Sequence, residues 1–126
     1  MTKTILTALA MLLLFATNAM AQIEPQRDTI PPEFPGGAKG WLSYLEKNIQ
    51  YPAKALKKNF QGKVNIEFMV NETGKVSDVK PLTNLGYGLE KEAVRLIATG
   101  PDWIPATLHG EKIKYRLVQS FTFRLE

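Results

Sequence analysis

The chain has 126 residues, of which 44 % are hydrophobic and 22 % are charged, an ordinary balance for one globular domain with no room for a second. Cysteine is absent, which excludes a disulfide framework, a thiolate nucleophile and a lipid attached through cysteine. The net charge of +4 is spread along the chain without a long basic run. It is therefore weak evidence for a polyanion as partner, and we expect no nucleic acid.

The first 21 residues have the pattern of an export signal. Lys3 supplies the positive start, residues 5–16 are an apolar run, and Ala19-Met20-Ala21 is a small-residue cleavage site. An uncleaved membrane anchor is the alternative, but a bilayer span takes about 20 apolar residues and this run is shorter. We expect cleavage before Gln22 and a periplasmic protein, with inner-membrane association if the segment stays attached.

Residues 22–35 contain four prolines and no apolar period. They predict a proline-rich linker, or a strap along the surface of a domain that covers residues 36–126. Gly36-Gly37 then breaks the chain before a helical pattern. The side chains that share one face of this first helix are Ala38, Trp41, Leu42, Leu45 and Ile49.

Tyr51-Pro52 ends this helix, because a residue before proline is pushed out of helical geometry. A short helical turn is predicted over residues 52–59. The side chains expected to face inward there are Ala55, Leu56 and Phe60. A later helix ends at Gly100-Pro101. Its apolar face consists of Leu89, Ala93, Leu96 and Ile97.

Residues 62–70 alternate apolar and polar side chains, which predicts a strand with one buried face. Its apolar positions are Val64, Ile66, Phe68 and Val70. A turn over residues 71–74 leads to a second strand, Val76 to Leu82, in which Pro81 must lie at a sheet edge or a strand end. The longest strand is predicted over residues 112–125. One face of it carries Ile113, Tyr115, Leu117, Phe121, Phe123 and Leu125, interrupted by Gln119.

The order of these elements predicts an α+β fold. The turn over residues 71–74 makes the first two strands antiparallel, and the helix that follows makes the second and third strands parallel in a right-handed crossover. The simplest three-stranded sheet, antiparallel or mixed, has the order 2-1-3, with the first predicted strand in the middle and two helices covering one face. The third strand is then an outer strand with unpaired backbone groups along one side.

That outer edge is the predicted working surface. The candidate partner-binding residues alternate along it: Lys112, Lys114, Arg116, Val118, Ser120, Thr122 and Arg124. Charged side chains on an edge strand also protect it against aggregation, so this alternative stays open. Trp103, close to two prolines, is predicted to be structural. His109 has no second ligand or triad partner in a recognisable motif, and we predict no catalytic residue, no cofactor and no metal.

An ordered set of short motifs resembles a known family. The motifs are Pro35-Gly36-Gly37, Tyr51-Pro52 with Ala55, Gly62-x-Val64, Gly74-x-Val76, Glu92-Ala93, Pro101-Asp102-Trp103-Ile104-Pro105-Ala106, Gly110 and Phe123. Together they look like the C-terminal domain of TonB energy transducers, in the form common in Bacteroidetes, from Pro35 to Leu125. No single motif is specific, but the ordered set is.

The resemblance implies two helices against a three-stranded sheet, whose last strand pairs with an extended TonB-box peptide of an outer-membrane receptor. Strand addition suits such an edge, because backbone bonds give affinity and side-chain pockets give selectivity. Ser120 departs from the family, which usually has proline there, and so adds a backbone donor. The membrane helix and long proline-rich spacer of a full transducer are also missing. We therefore expect a stand-alone exported binder or adaptor, or alternatively a structural protein that dimerises through the same edge.

Overall fold

The structure is a computed structural model that describes residues 28–125. The predicted export signal and residues 22–27 of the predicted linker lie outside the described residues. Among the residues that are described, no helix is long and apolar enough to cross a membrane.

The fold is α+β, as predicted. In chain order its elements are β1 (Thr29–Ile30), α1 (Gly37–Asn48), α2 (Ala53–Lys57), β2 (Gly62–Val70), β3 (Val76–Pro81), α3 (Leu89–Ala98), β4 (Ala106–Leu108), β5 (Glu111–Ile113) and β6 (Tyr115–Phe123). The strands form two sheets of three, with the orders β3-β2-β6 and β1-β4-β5. The larger sheet carries the core, and the smaller one is joined to it along the chain at Lys114, between β5 and β6.

The larger sheet confirms the predicted order 2-1-3. Its central strand β2 is antiparallel to both neighbours, so β3 and β6 are parallel to each other. The pairing of β2 with β6 runs without a register shift from Gly62 opposite Phe123 to Val70 opposite Tyr115. The pairing of β2 with β3 is less regular, because the register shifts between Glu67 and Met69.

The smaller sheet was not predicted, and it changes the third predicted strand. Residues 112–125 do not form one strand: β5 pairs with β4, β6 pairs with β2, and the two are separated at Lys114. The strands of the smaller sheet have two or three residues each. Alternation cannot be recognised over so short a length, so the sequence pattern gives no sign of them.

The segment that precedes α1 is bound to the domain as a strap. Thr29 pairs with Leu108, and the backbone N–H and C=O of Glu33 both bond with Ile104, at 3.0 and 2.8 Å. Phe34 is 7 % exposed and belongs to the core. Of the two interpretations of this proline-rich segment, the structure favours the strap for residues 28–35.

The core lies between the larger sheet and α3. The apolar face of β2 is completely buried, as its alternation predicts: Val64, Ile66, Phe68 and Val70 are each 0 % exposed. The predicted face of α3 meets it through Leu89, Ala93, Leu96 and Ile97, all buried. Phe121 and Phe123 of β6 complete this cluster. The pattern predicted these contacts because strand and helix periods place every second or every third to fourth side chain on one face.

The predicted inward face of α1 is partly wrong. Leu42 and Ile49 are 59 % and 38 % exposed, and Ala38 is also exposed. The face that packs on the core is formed by Trp41, Tyr44 and Leu45 instead. The Tyr44 hydroxyl donates a hydrogen bond of 2.7 Å to the Leu96 carbonyl oxygen, which fixes this rotation of the helix.

Ala55 of the short helix α2 is buried, and Phe60, which follows the helix, packs against the core, as predicted. Leu56 is 48 % exposed, so its inward placement is wrong. One turn of helix has only one side against the core, and Ala55 occupies it.

Trp103 is buried and tied to the turn between β2 and β3. Its N–H donates to the Gly74 carbonyl oxygen at 2.8 Å. Gly74 has a φ of 90°, and a Cβ there would lie 2.0 Å from the Trp103 carbonyl oxygen. Only glycine fits this approach. The contact holds the turn against the loop that leads into β4.

We expect Phe68→Ala and Leu96→Ala each to lower the free energy of unfolding by about 2–5 kcal/mol, because each leaves a cavity in the core. Leu42→Ala is the matched control. Its side chain is 59 % exposed, so the change should stay within about 0.5 kcal/mol. Denaturant unfolding of the three variants measures these differences. A neutral Phe68→Ala would contradict the described register of β2.

Candidate functional site

The two outer strands of the larger sheet have different edges. The β3 edge is interrupted by the register shift, by Asp78 with a φ of 51° and by Pro81, which has no N–H to donate. Such features protect an edge from pairing with another chain. The β6 edge is regular along the whole strand and has no neighbour on its outer side among residues 28–125. It is the edge that can accept a further strand.

The hydrogen bonds of Asn65 show which way each residue of the ladder points. Its carbonyl oxygen accepts a hydrogen bond of 2.8 Å from the Leu82 N–H, so the backbone groups of Asn65 point toward β3. In an antiparallel ladder, consecutive residues point to opposite sides. The backbone N–H and C=O of Ile66 therefore point toward β6, and those of its partner Gln119 point back toward β2. Pro81 also lies opposite Ile66, and its backbone groups point away from β2. The N–H that proline lacks would therefore make no hydrogen bond with β2.

This alternation identifies the residues of β6 whose backbone N–H and C=O groups point outward, away from β2. They are Arg116, Val118, Ser120 and Thr122, which we call the outward row. One of them is already in use at the edge, because the Ser120 carbonyl oxygen accepts a hydrogen bond of 3.2 Å from the side-chain amide of Gln119. The amide that Ser120 has in place of the family's usual proline also lies on this outer side. Apart from the Ser120 carbonyl oxygen, the edge offers a row of alternating backbone donors and acceptors with no described partner.

The other predicted site residues lie at the two ends of this row. Lys112 is in β5, Lys114 lies between β5 and β6, and Arg124 follows β6. All three are exposed. The structure thus places four of the seven predicted residues on β6. Lys112 and Lys114 precede this strand, and Arg124 follows it.

The side chains of the outward row share the open face of the sheet. Arg116 bonds with Glu67 at 2.7 Å, and Lys80 lies 3.4 Å from the same carboxylate. The Ser120 hydroxyl donates to the side-chain oxygen of Asn65 at 2.7 Å. Val118 is 50 % exposed. The hydrogen bond from Arg116, aided by the charge of Lys80, lowers the pKa of Glu67 below its ordinary value.

The opposite, helix-covered face has a small pocket beside the same strand. Its volume is about 210 Å³, and its walls come from Pro32, Glu33, Phe34, Gly37, Ala38, Trp41, Trp103 and Gln119. Sequence reasoning did not predict it. The available signal was Gln119, a polar residue in the otherwise apolar row of the third predicted strand.

A second, larger pocket of about 510 Å³ lies between the start of α2 and α3. Its polar centre is Glu92, 8 % exposed, which accepts hydrogen bonds from the Arg95 guanidinium and from the Gln50 N–H at 2.6 Å. Arg95 also donates to the Asn48 carbonyl oxygen at 2.8 Å. The bond to Glu92 raises the pKa of Arg95. These groups satisfy one another and join the end of α1 to α3.

His109 is in the turn between β4 and β5, where its Nδ1 lies 2.9 Å from the Asp28 carboxylate. Both side chains are more than half exposed. In the part of the chain that the structure describes, no group of three or more His, Cys, Asp or Glu side chains could hold a metal ion. The contact between His109 and Asp28 instead joins the strap to the smaller sheet.

Comparison with known proteins agrees with this architecture. Residues 47–125 match the family model described as the C-terminal part of the Gram-negative bacterial TonB protein. The chain belongs to the TonB C-terminal family. This confirms the resemblance of the motifs. Domains of this family are periplasmic and interact with outer-membrane receptors.

A solved structure shows the same fold. The TonB C-terminal domain of Helicobacter pylori, determined in solution by NMR, is similar with a TM-score of 0.51 and 19 % sequence identity. The match covers 68 % of this chain and 77 % of that one. A search of curated protein sequences found no match.

We expect Arg116→Gln to raise the pKa of Glu67 toward its ordinary value of 4.5, because the Arg116 hydrogen bond is the largest cause of the lowering. The folded-state pKa lies below the unfolded one, so the stabilising effect is present above about pH 4.5 and is lost as the pH falls through the folded-state pKa. NMR titration of the side-chain carboxyl carbon measures it. Lys80→Gln is the control and should give a smaller rise. An unchanged pKa in Arg116→Gln would contradict the described ion pair.

Proposed function

We propose that the domain binds an extended peptide of an outer-membrane receptor by adding it as a fourth strand to the outer edge of β6. The observation that carries this proposal is the regular, outward-pointing row of Arg116, Val118, Ser120 and Thr122. It is supported by the interruptions on the β3 edge, which leave β6 as the edge of the larger sheet open to a partner strand. Membership of the TonB C-terminal family agrees with a receptor as the source of the peptide.

Backbone pairing alone would bind such a peptide weakly. Each hydrogen bond contributes about 0.5–1.5 kcal/mol net. Ordering each peptide residue costs about 1–2 kcal/mol, so the two terms nearly cancel. The affinity then depends on side-chain contacts on the two faces of the sheet. This favours a partner that is held in place by its own structure or by a second contact.

The open face of the edge favours an acidic partner. Arg116 lies on this face with Glu67 as its described counter-charge, and Lys112, Lys114 and Arg124 add positive charge beyond the two ends of β6. Acidic side chains at every second position of an added strand would lie over this face, because alternate residues share one side of a sheet. Their contribution would fall with rising salt concentration.

We expect Val118→Pro and Thr122→Pro to fold and to lose peptide binding, because each removes an outward donor and places a ring where the added strand must lie. The probe is a capped nonapeptide of alternating threonine and glutamate, and calorimetry measures its affinity. A peptide of the same composition with its glutamates in one block is the control for non-specific charge attraction, and it should bind more weakly.

The matched control on the protein is Gln119→Pro. Its N–H points toward β2, so proline there removes a ladder bond and should destabilise the domain, as denaturant unfolding would show. Undiminished binding by a folded Val118→Pro would place the peptide elsewhere. A stable dimer in sedimentation that persists with added peptide would favour the alternative of self-association through the same edge.

We further propose that the protein reaches the periplasm through cleavage of residues 1–21, with Gln22 as the mature N-terminus. The support is the apolar run followed by Ala19-Met20-Ala21. The intact mass of protein taken from the periplasmic fraction tests this. A mass that retains residues 1–21, with the protein in the membrane fraction, would mean an anchored protein instead.

A further inference from the structure

We propose that the pocket beside Gln119 is a selectivity subsite that accepts one uncharged, apolar side chain of the strand added to β6. This inference rests on the proposed function and specifies the chemistry of its ligand. It concerns the helix-covered face of the edge, whereas Arg116, the one cation of the outward row, lies on the open face.

Three of the eight residues that line the pocket are aromatic, and the pocket lies next to the edge strand. Phe34 contacts Trp41 and Trp103 with ring centroids 5.1 and 5.4 Å apart, and the two indoles are 6.0 Å apart. Trp41 also packs on Phe121, the neighbour of Gln119 on the same face of β6. The pocket therefore continues the apolar face of the larger sheet beyond its last strand. A side chain of an added strand would extend that face by one position.

The size of the pocket suits a single side chain. Small-molecule sites usually have about 300–1,000 Å³, and this pocket has about 210 Å³. In an added strand, the side chain opposite Gln119 lies on the same face of the sheet as Gln119 itself. That position would bring the side chain to the mouth of the pocket.

Gln119 connects the pocket to the edge. Its side-chain amide donates to the Ser120 carbonyl oxygen, an acceptor that an added strand needs for its own N–H. The incoming strand competes with this amide for the oxygen or shares it, since a carbonyl oxygen accepts two hydrogen bonds. Gln119 also lines the pocket, so one side chain contacts both the backbone edge and the subsite.

The chemistry of the pocket disfavours an acidic occupant. The Glu33 carboxylate lies at the first turn of α1, since a Cβ built on Gly37 would be 2.7 Å from its Oε1. A second carboxylate placed between this group and the indoles would be repelled and poorly solvated. An apolar side chain gains by leaving water and loses nothing to Glu33. The subsite should therefore prefer leucine to alanine, and alanine to aspartate.

The test replaces the central threonine of the alternating nonapeptide by leucine, alanine or aspartate. We expect leucine to bind about tenfold more tightly than alanine, the effect of burying part of one apolar side chain. The chain has two tryptophans, and both line the pocket, so intrinsic fluorescence reports its occupation directly. The leucine peptide should shift the emission to shorter wavelength, and the aspartate peptide should not.

Ala38→Phe fills the pocket from the exposed surface of α1 without removing a core contact. We expect it to abolish the preference for leucine while the alanine peptide binds as before. Ser43→Phe, on an exposed part of the same helix that does not line the pocket, should keep the full preference. Equal melting temperatures of the two variants would show that the difference does not come from stability.

The outcomes separate this inference from the proposed function. If all three peptides bind equally, remain sensitive to Val118→Pro and leave the tryptophan emission unchanged, the subsite is wrong and strand addition stands. If no peptide binds, or if binding ignores Val118→Pro, strand addition is wrong and the subsite is overturned with it. A leucine preference that survives Ala38→Phe would also overturn the assignment of the subsite to this pocket.

Discussion

The alternate burial of side chains along β2 is the constraint on which the rest of the structure depends. Val64, Ile66 and Phe68 are completely buried, and a slip of one residue would turn all of them to the polar face. The unshifted pairing with β6 transfers the same alternation to that strand. Core packing against α3 therefore decides which backbone groups of β6 remain at the edge. The binding surface that we propose is fixed by the core and needs no separate set of residues to orient it.

The sequence was most informative where one period runs over many residues. The alternation of β2 and the helical spacing of α3 were enough to predict the core and the order of the larger sheet. In α1 the prediction failed in part, because Trp41 and Leu45 belong to two overlapping helix faces, one with Leu42 and one with Tyr44. Spacing in the sequence does not distinguish these faces, and the contacts with the rest of the fold decide which one is buried. Tyr44, with its polar hydroxyl, was not counted as an inward residue, yet its bond to Leu96 fixes the rotation of the helix.

The same difference applies to the candidate site. The alternating residues of the edge could be named from the sequence, because the alternation of side chains along a strand depends only on neighbouring residues. Their role in binding stays a prediction. The pocket could not be predicted from the sequence, because its aromatic walls come from three segments that meet only in the folded chain. Phe34 lies in the strap, Trp41 in α1 and Trp103 in the loop before β4. Short strands such as β1 and β4 were missed for a related reason, since they are defined by their partners and carry no period of their own.

The strap has a mechanical consequence. It is attached by few bonds: those between Glu33 and Ile104, the short pairing of β1 with β4, and the contacts of Asp28 with His109. Tension applied to the chain ahead of Asp28 would load these bonds first and the nine pairs of β2 with β6 last. Peeling the strap would carry away Phe34, one wall of the pocket, while the larger sheet stays intact. A pull on this end would thus open the proposed subsite while the pairs between β2 and β6 are still in place.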